Sequence, residues 1–291
     1  MQAIASAGWV PVSAGSLPPF GLLRPLSVAS AAAALRDHER AVPLAGGTDL
    51  VAAFNEGLMP GVVVDLSRVE ALRAIEHRGG ELRIGATVTH ATGCAHELVL
   101  RHAPGLATAW RRIANPRIRF TGTLGGNLMA RRRRYEGSVL MSALGATLEF
   151  AATGNGGSGG VARHSPADLW QSAVPARLLL QALVVPTEGL LWFGYERSLR
   201  PLMTVATTLR HGAEGLHLRC ALATEYLEPV VLERTLPLRR LADLGRVAVA
   251  ESATLMAGLP ESFTDPVLNA RYARAAGAAL LARQLAGAAH G

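Results

Sequence analysis

Two short stretches of this chain carry residues of the kind that hold phosphate. "LAGGTDL" contains Gly46 and Gly47; "GTLGGNL" contains Gly125 and Gly126. Glycine reaches positive φ and lacks the Cβ that blocks close approach of a ligand to the backbone. Where such a pair opens a helix, free N–H groups and the positive end of the dipole face an anion. Thr48 and Thr123 can add hydroxyl donors. Two such loops together could hold the two phosphates of a dinucleotide from opposite sides. Neither is G-x-G-x-x-G or a Walker sequence, so Rossmann and P-loop readings are unsupported. His90, Cys94, His96 and His102 form a second cluster, whose spacing matches no common zinc pattern. No G-x-S-x-G elbow points to a serine nucleophile.

The elements that position these residues follow from the hydrophobic pattern. Ala-rich Val28 onward reads as a helix to Arg40, "AVPLAGG" as a buried strand ending in a glycine turn. A helix to about Asn55 follows, capped by Thr48 or Asp49. "GVVVDLS" is apolar on both faces, which suits a parallel strand. Helix, strand, glycine turn, helix, strand is an α/β order. "ELRIGATVTH" reads as a strand with one wet face, and the next stretch as helix broken at Pro104. "SVLMSALGATLEFA" reads as a helix running into a strand. "GNGGSGG" reads as a hairpin tip or mobile loop, and residues 1–16 as a loose arm. "MTVATTLRH", "LHLRCALAT" and "EPVVLER" read as an antiparallel meander turning at "GAEG". The chain is helical from Leu241, with Asp265 capping a helix that has Pro266 first.

Composition narrows the class. The 291 residues are 49% hydrophobic and 18% charged, an ordinary globular balance with room for two domains. No apolar run reaches the roughly 18 residues of a membrane helix. No charge precedes Arg24, so the basic start of a secretory signal is missing and a cytoplasmic chain is expected. Cys94 and Cys220 are the two cysteines; they cannot build a four-thiolate iron–sulfur cluster. All 29 basic residues are Arg, for a net charge of +7. With no lysine there is neither a Schiff-base nor a P-loop amine.

In order and spacing, "LAGGTDLVAAFNEGLMPGVVVDLSRVEALRAI", "LRIGATVTHAT", "IANPRIRFTGTLGGNL" and "LGATLEF" resemble the FAD-binding medium subunit of the molybdenum hydroxylases. That family includes the carbon monoxide dehydrogenase medium subunit and the flavin domain of xanthine dehydrogenase. "GYERSLRPLMTVATTLR" and "NARYARAAGAALLARQLAG" resemble its small C-terminal domain, so the likeness covers about Pro19 to Ala286. It implies an α+β chain. A PCMH-like FAD-binding domain of two α/β subdomains is expected over 17–186. A small domain with a three-stranded antiparallel sheet and helices is expected over 187–291. It also implies an oxidoreductase subunit whose FAD relays electrons from 2Fe–2S clusters on a small partner subunit to NAD or another acceptor. The molybdopterin centre then sits on a large partner. Neither nucleic acid nor a catalytic residue or metal of the chain's own is expected. By position, Ala45, Gly46, Gly47, Thr48 and Asp49, with Thr123, Leu124, Gly125, Gly126 and Asn127, would line the cofactor.

Departures from the family pattern concentrate at the flavin end. The stretch after Leu128 is "MARRRRYEG", and Glu136 stands where the family places a flavin-binding Asp. Arg197 and Pro201 stand for a usual basic residue and Asp, "WQSAVPAR" is a shortened Gly-rich segment, and "ATEY" replaces a usual Gly-Gly. The run Arg131 to Arg134 reads as a solvated turn, a patch for an acidic partner face, or a direct FAD contact. These departures leave two rival functions: a flavin-weak or flavin-free scaffold subunit, and a free-standing FAD oxidoreductase.

Overall fold

The structure, a computed structural model, describes residues 19–151, 160–171, 177–198 and 202–290. The arm over 1–16, most of "GNGGSGG" and "WQSAVPAR", and Pro201 lie outside them. The first layer is a parallel sheet of β1 (Gly21–Leu23), β3 (Val62–Asp65) and β2 (Ala41–Leu44), with β3 in the middle. Its central place explains the apolar run of "VVVD". Val63 and Val64 are buried, and Ala31, Ala32 and Leu35 of helix α1 (Val28–Asp37) cover the sheet. Ser27 caps α1 in a reciprocal capping box with Ser30. The turn after β2 opens α2 (Thr48–Asn55), whose N-cap is Gly47 at φ 75°. Neither Thr48 nor Asp49 caps it: Gly47 reaches the left-handed region without strain, and the Asp49 carboxylate is drawn elsewhere.

The second layer is an antiparallel sheet in the order β4 (Ile75–Arg78), β5 (Glu81–Gly85), β8 (Leu180–Pro186), β6 (Thr147–Ala151), β7 (Val161–His164). Helices α3 (His90–Ala95), α4 (Glu97–His102), α5 (Pro104–Trp110), α7 (Leu124–Met129) and α8 (Glu136–Leu144) pack with it around one large core, and α6 (Pro116–Thr121) lies outside that core against α3. Pro104 breaks the helical stretch as expected, by opening α5 at its first position.

The third layer is an antiparallel sheet ordered β12 (Val230–Leu236), β11 (Leu216–Thr224), β10 (Met203–His211), β9 (Leu190–Arg197). The three expected strands are β10 to β12; β9 joins them as a fourth. One face of this sheet packs on α9 (Leu244–Ala257) and α10 (Ala270–Ala288). The other face contributes Phe193, Tyr195, Ala206, Ala221 and Ala223 to the large core. α10 begins at Ala270 with Asn269 as its cap, not at Pro266. Asp265 instead accepts from the N–H groups of Val267 and Leu268 and from the Thr224 hydroxyl, which holds the preceding segment as a turn.

α8 links this third layer to the site. Gly137 through Leu144 are all buried. Its last carbonyls are held from the C-terminal sheet: Thr208 donates to Ala143 O at 2.8 Å, Arg219 to Ser142 O at 2.8 Å and Arg210 to Leu144 O at 3.2 Å. The two guanidinium groups also suit the negative end of the helix dipole.

Candidate functional site

The two glycine loops meet. A Cβ on Gly46 would stand 2.0 Å from Thr121 O and 2.9 Å from Gly122 Cα. The bare α-carbon is what lets the first loop rest on the segment leading into the second. Gly125 is needed for a similar reason: its Cβ would lie 2.4 Å from Ala86 O. Both glycines thus serve backbone-to-backbone packing as well as any approach of a ligand. Around this junction lies a cavity of about 780 Å³, walled by Ala45 to Asp49, by Thr123, Gly125, Gly126 and Asn127, and by Glu136. That volume is in the range of roughly 300–1,000 Å³ common for cofactor sites. Leu124 is the exception among the expected lining residues. It is fully buried in the core, because its place in the first turn of α7 points an apolar side chain at the sheet.

The loops differ in what they offer. In α7 the N–H of Leu124 donates to Val88 O, that of Gly125 to Ala86 O, and that of Gly126 to Thr123 Oγ1. Asn127 N donates to Thr123 O. The second loop's first-turn N–H groups are therefore engaged by the protein. In α2, Val51 N returns to Gly47 O. The N–H groups of Thr48, Asp49 and Leu50 meet no acceptor among the described residues, so the open donors of a helix start lie on the first loop. The second loop contributes side chains: Thr123 keeps its own hydroxyl proton, and Asn127, whose Oδ1 accepts from Gly137 N at 3.1 Å, keeps its amide donors. These donors, with the bare Gly47 at positive φ, fit a phosphate-bearing dinucleotide.

The carboxylates on the wall are both oriented. Arg132 Nε donates to Asp49 Oδ1 at 3.0 Å, and the Tyr135 hydroxyl donates to the same oxygen at 2.9 Å. Arg132 also reaches Glu56 at 3.8 Å. Burial opposes the Arg132 charge, but the Asp49 carboxylate outweighs it and raises the pKa. Burial and then Asp49 raise that of Tyr135, which stays a donor. Glu136 Oε1 accepts from the Tyr195 hydroxyl at 3.3 Å and from Arg197 at 3.2 Å. Its Oε2 has no partner among the described residues. Thus Arg197 and Glu136, two residues singled out in the sequence, meet on the cavity wall. Within the arginine run, Arg133 lies over the Trp170 ring at 5.9 Å and pairs with Glu228 at 3.5 Å.

Each of Arg132 and Asp49 is about one-third exposed, so their pair is worth under roughly 1 kcal/mol. Arg132→Ser should accordingly lower the melting temperature by no more than about 4 °C. Thermal scans of this variant beside Tyr135→Phe check it. A far larger drop would mean that the arginine holds more than the Asp49 loop.

His90 is a cavity residue that the sequence reading grouped with other histidines and cysteines. It is 2% exposed and lies on the cavity wall. The Trp110 indole N–H donates to its Nδ1 at 2.7 Å. An indole can only donate, so the neutral ring carries its proton on Nε2. Burial first, and then the Arg119 charge, push its pKa down to about 4. Nothing in the local spelling marks His90 for this role, since Trp110 lies on another helix. Its neighbours go elsewhere: Cys94 is buried, His96 caps α4, and His102 stacks on His77. Among the described residues no group of three His, Cys, Asp or Glu could hold a metal ion.

The depressed pKa has a sign. An unfolded histidine takes its proton near pH 6.5, whereas folded His90 resists until about pH 4. The stability it contributes is complete above about pH 6.5 and is lost as pH falls toward 4, up to roughly 3 kcal/mol. Urea unfolding at pH 7, 5.5 and 4 should show this decline. In His90→Gln, whose amide oxygen can still accept from Trp110, the slope should flatten.

Residues 18–186 match the family described as the FAD binding domain in molybdopterin dehydrogenase. The chain is similar to the nicotine 6-hydroxylase medium subunit of Paenarthrobacter nicotinovorans, 37% identical over 134 residues, 46% of this chain and 47% of that one. It is also similar to the carbon monoxide dehydrogenase medium chain of Afipia carboxidovorans, 33% identical over 196 residues, 65% of this chain and 66% of that one. The match thus spans about half the length of the first of these relatives. In fold it resembles quinoline 2-oxidoreductase from Pseudomonas putida 86, with a TM-score of 0.78 at 24% identity, covering 94% of this chain and 98% of that chain.

Proposed function

Since the chain belongs to the family of FAD-binding domains in molybdopterin dehydrogenases, we propose that it is the FAD-carrying electron-transfer subunit of a molybdenum hydroxylase. Bound FAD would supply a relay between 2Fe–2S clusters of a small partner subunit and NAD or another acceptor. The molybdopterin centre would lie on a large partner subunit, and the assembly in the cytoplasm. No helix among the described residues is long and apolar enough to cross a membrane. The proposed organisation is an FAD-binding domain over 17–186 and a small domain over 187–291.

The observation that carries this reading is a cavity walled by both glycine loops, with open N–H groups at the start of α2. In it, Thr48, Asp49 and Leu50 would offer N–H groups to the pyrophosphate. Thr123 would add a hydroxyl, and Asn127 an amide donor. Glu136, steadied through Oε1 by Tyr195 and Arg197, would turn Oε2 toward N–H donors at the flavin end. The subunit purified and titrated with FAD should acquire one flavin absorbance per chain. A chain that stays colourless in excess FAD would overturn the proposal in favour of the scaffold reading. Co-expression should then yield a complex with iron–sulfur and molybdopterin subunits. Persistent isolation of the coloured chain alone would favour the free-standing oxidoreductase.

A further inference from the structure

Among the described residues the charged side chains on the cavity wall are Asp49, Arg132, Arg134, Glu136 and Arg197; His90 is neutral. Four of them form two pairs, Arg132 with Asp49 at 3.0 Å and Arg197 with Glu136 at 3.2 Å. Arg134 is the fifth. Among the described residues it meets no carboxylate and no hydrogen-bond acceptor. It lies over the Tyr135 ring, with the guanidinium carbon 6.0 Å from the centroid. The two pairs cancel, and among the described residues Arg134 leaves the wall with one positive charge over.

Its location gives that charge a direction. The hydroxyl of Tyr135 rests on Asp49 in the first turn of α2. Arg134 over that ring therefore stands at the end of the cavity where Thr48, Asp49 and Leu50 present their open N–H groups. Asp49 itself would repel an anion there, but Arg132 and Tyr135 both hold its Oδ1. We infer that Arg134 binds the diphosphate of the dinucleotide, as a guanidinium supplying the counter-charge that the backbone N–H groups alone lack. A planar fork of donors suits phosphate oxygens, and a charged pair of this kind is stronger than a neutral hydrogen bond. The other arginines have different tasks: Arg132 neutralises Asp49, and Arg133 packs on Trp170.

This inference rests on the proposal that FAD occupies the cavity, and its test separates the two. Wild-type chain, Arg134→Gln and Arg133→Gln would be titrated with FAD, ADP and riboflavin by calorimetry. The expected result is an Arg134→Gln affinity roughly ten- to a hundredfold lower for FAD and for ADP, with riboflavin, which lacks phosphate, unchanged. Arg133→Gln should bind all three like wild type. Wild-type FAD affinity should fall with added salt, and Arg134→Gln should respond less. Undiminished FAD binding by Arg134→Gln, or an equal loss for riboflavin, would overturn the assignment while leaving the FAD site standing. Failure of the wild-type chain to bind FAD at all would overturn the functional proposal, and this assignment with it.

Discussion

Gly46→Ala should cost the chain most of its affinity for FAD. The added Cβ would fall 2.0 Å from Thr121 O and 2.7 Å from its carbonyl carbon. Both are backbone atoms, so no flexible side chain can swing aside. The first glycine loop must lift away from the segment that leads into the second, and the cavity between them loses its shape. Forced overpacking typically costs about 1–3 kcal/mol, equivalent to an affinity roughly ten- to a hundredfold lower. The melting temperature without cofactor should fall too, because the loops meet whether or not a ligand is present. Gly287→Ala is the control: it sits in α10 with nothing within 4 Å of its added Cβ, and should be neutral or slightly stabilising. Titration of both variants with FAD checks the contrast. Wild-type affinity in Gly46→Ala would show that the loops part without harm to the site.

Trp110→Ala should be the most destabilising single change near the site. The side chain is fully buried, and its ring lies directly on Gly93, where a Cβ would come 2.0 Å from Cη2. α3 and α5 are thus packed through a glycine and an indole, with little scope for collapse into the hole. A loss of about 3–5 kcal/mol is expected, read from urea unfolding. Trp110→Phe separates bulk from hydrogen bonding. It fills most of the space but leaves His90 Nδ1 without its donor, which should cost about 1–3 kcal/mol. An equal loss in the two variants would mean that the indole N–H, rather than the ring, holds the helices together.

The parts of the fold written in local pattern were legible. Strand, glycine turn and helix at "AVPLAGGTDL" follow from β2, Gly47 and α2, and the doubly apolar "VVVD" identified an interior parallel strand. β1 is three residues long, too short to show a period. What local pattern cannot carry is competition from afar. Asp49 resembles a cap, but its carboxylate is claimed by Arg132 and Tyr135, which lie 83 and 86 residues away. Asp265 also resembles a cap, and the Thr224 hydroxyl reaches it across 41 residues. The first glycine pair was legible as a turn and the second as the start of a helix, where it lies in the first turn of α7, but neither as the surface on which the two segments touch. The arginine run could not be divided from its spelling alone, since Arg132, Arg133 and Arg134 gain different neighbours only once α2, Trp170 and Tyr135 are in place.

The anchoring of α8 also sets a timetable for synthesis. The carbonyls at its end are held by β10 and β11, and Glu136 at its start by Tyr195 and Arg197 of β9. Those strands rely in turn on α9 and α10 to cover their far face. A nascent chain therefore carries both glycine loops well before anything can fix Glu136. At about 5–20 residues per second, on the order of six to thirty seconds separate the emergence of α8 from that of α10. Until β10 and β11 follow, the last carbonyls of α8 lack the side chains that hold them, and the start of the helix reaches its final setting only after its far end has left the ribosome.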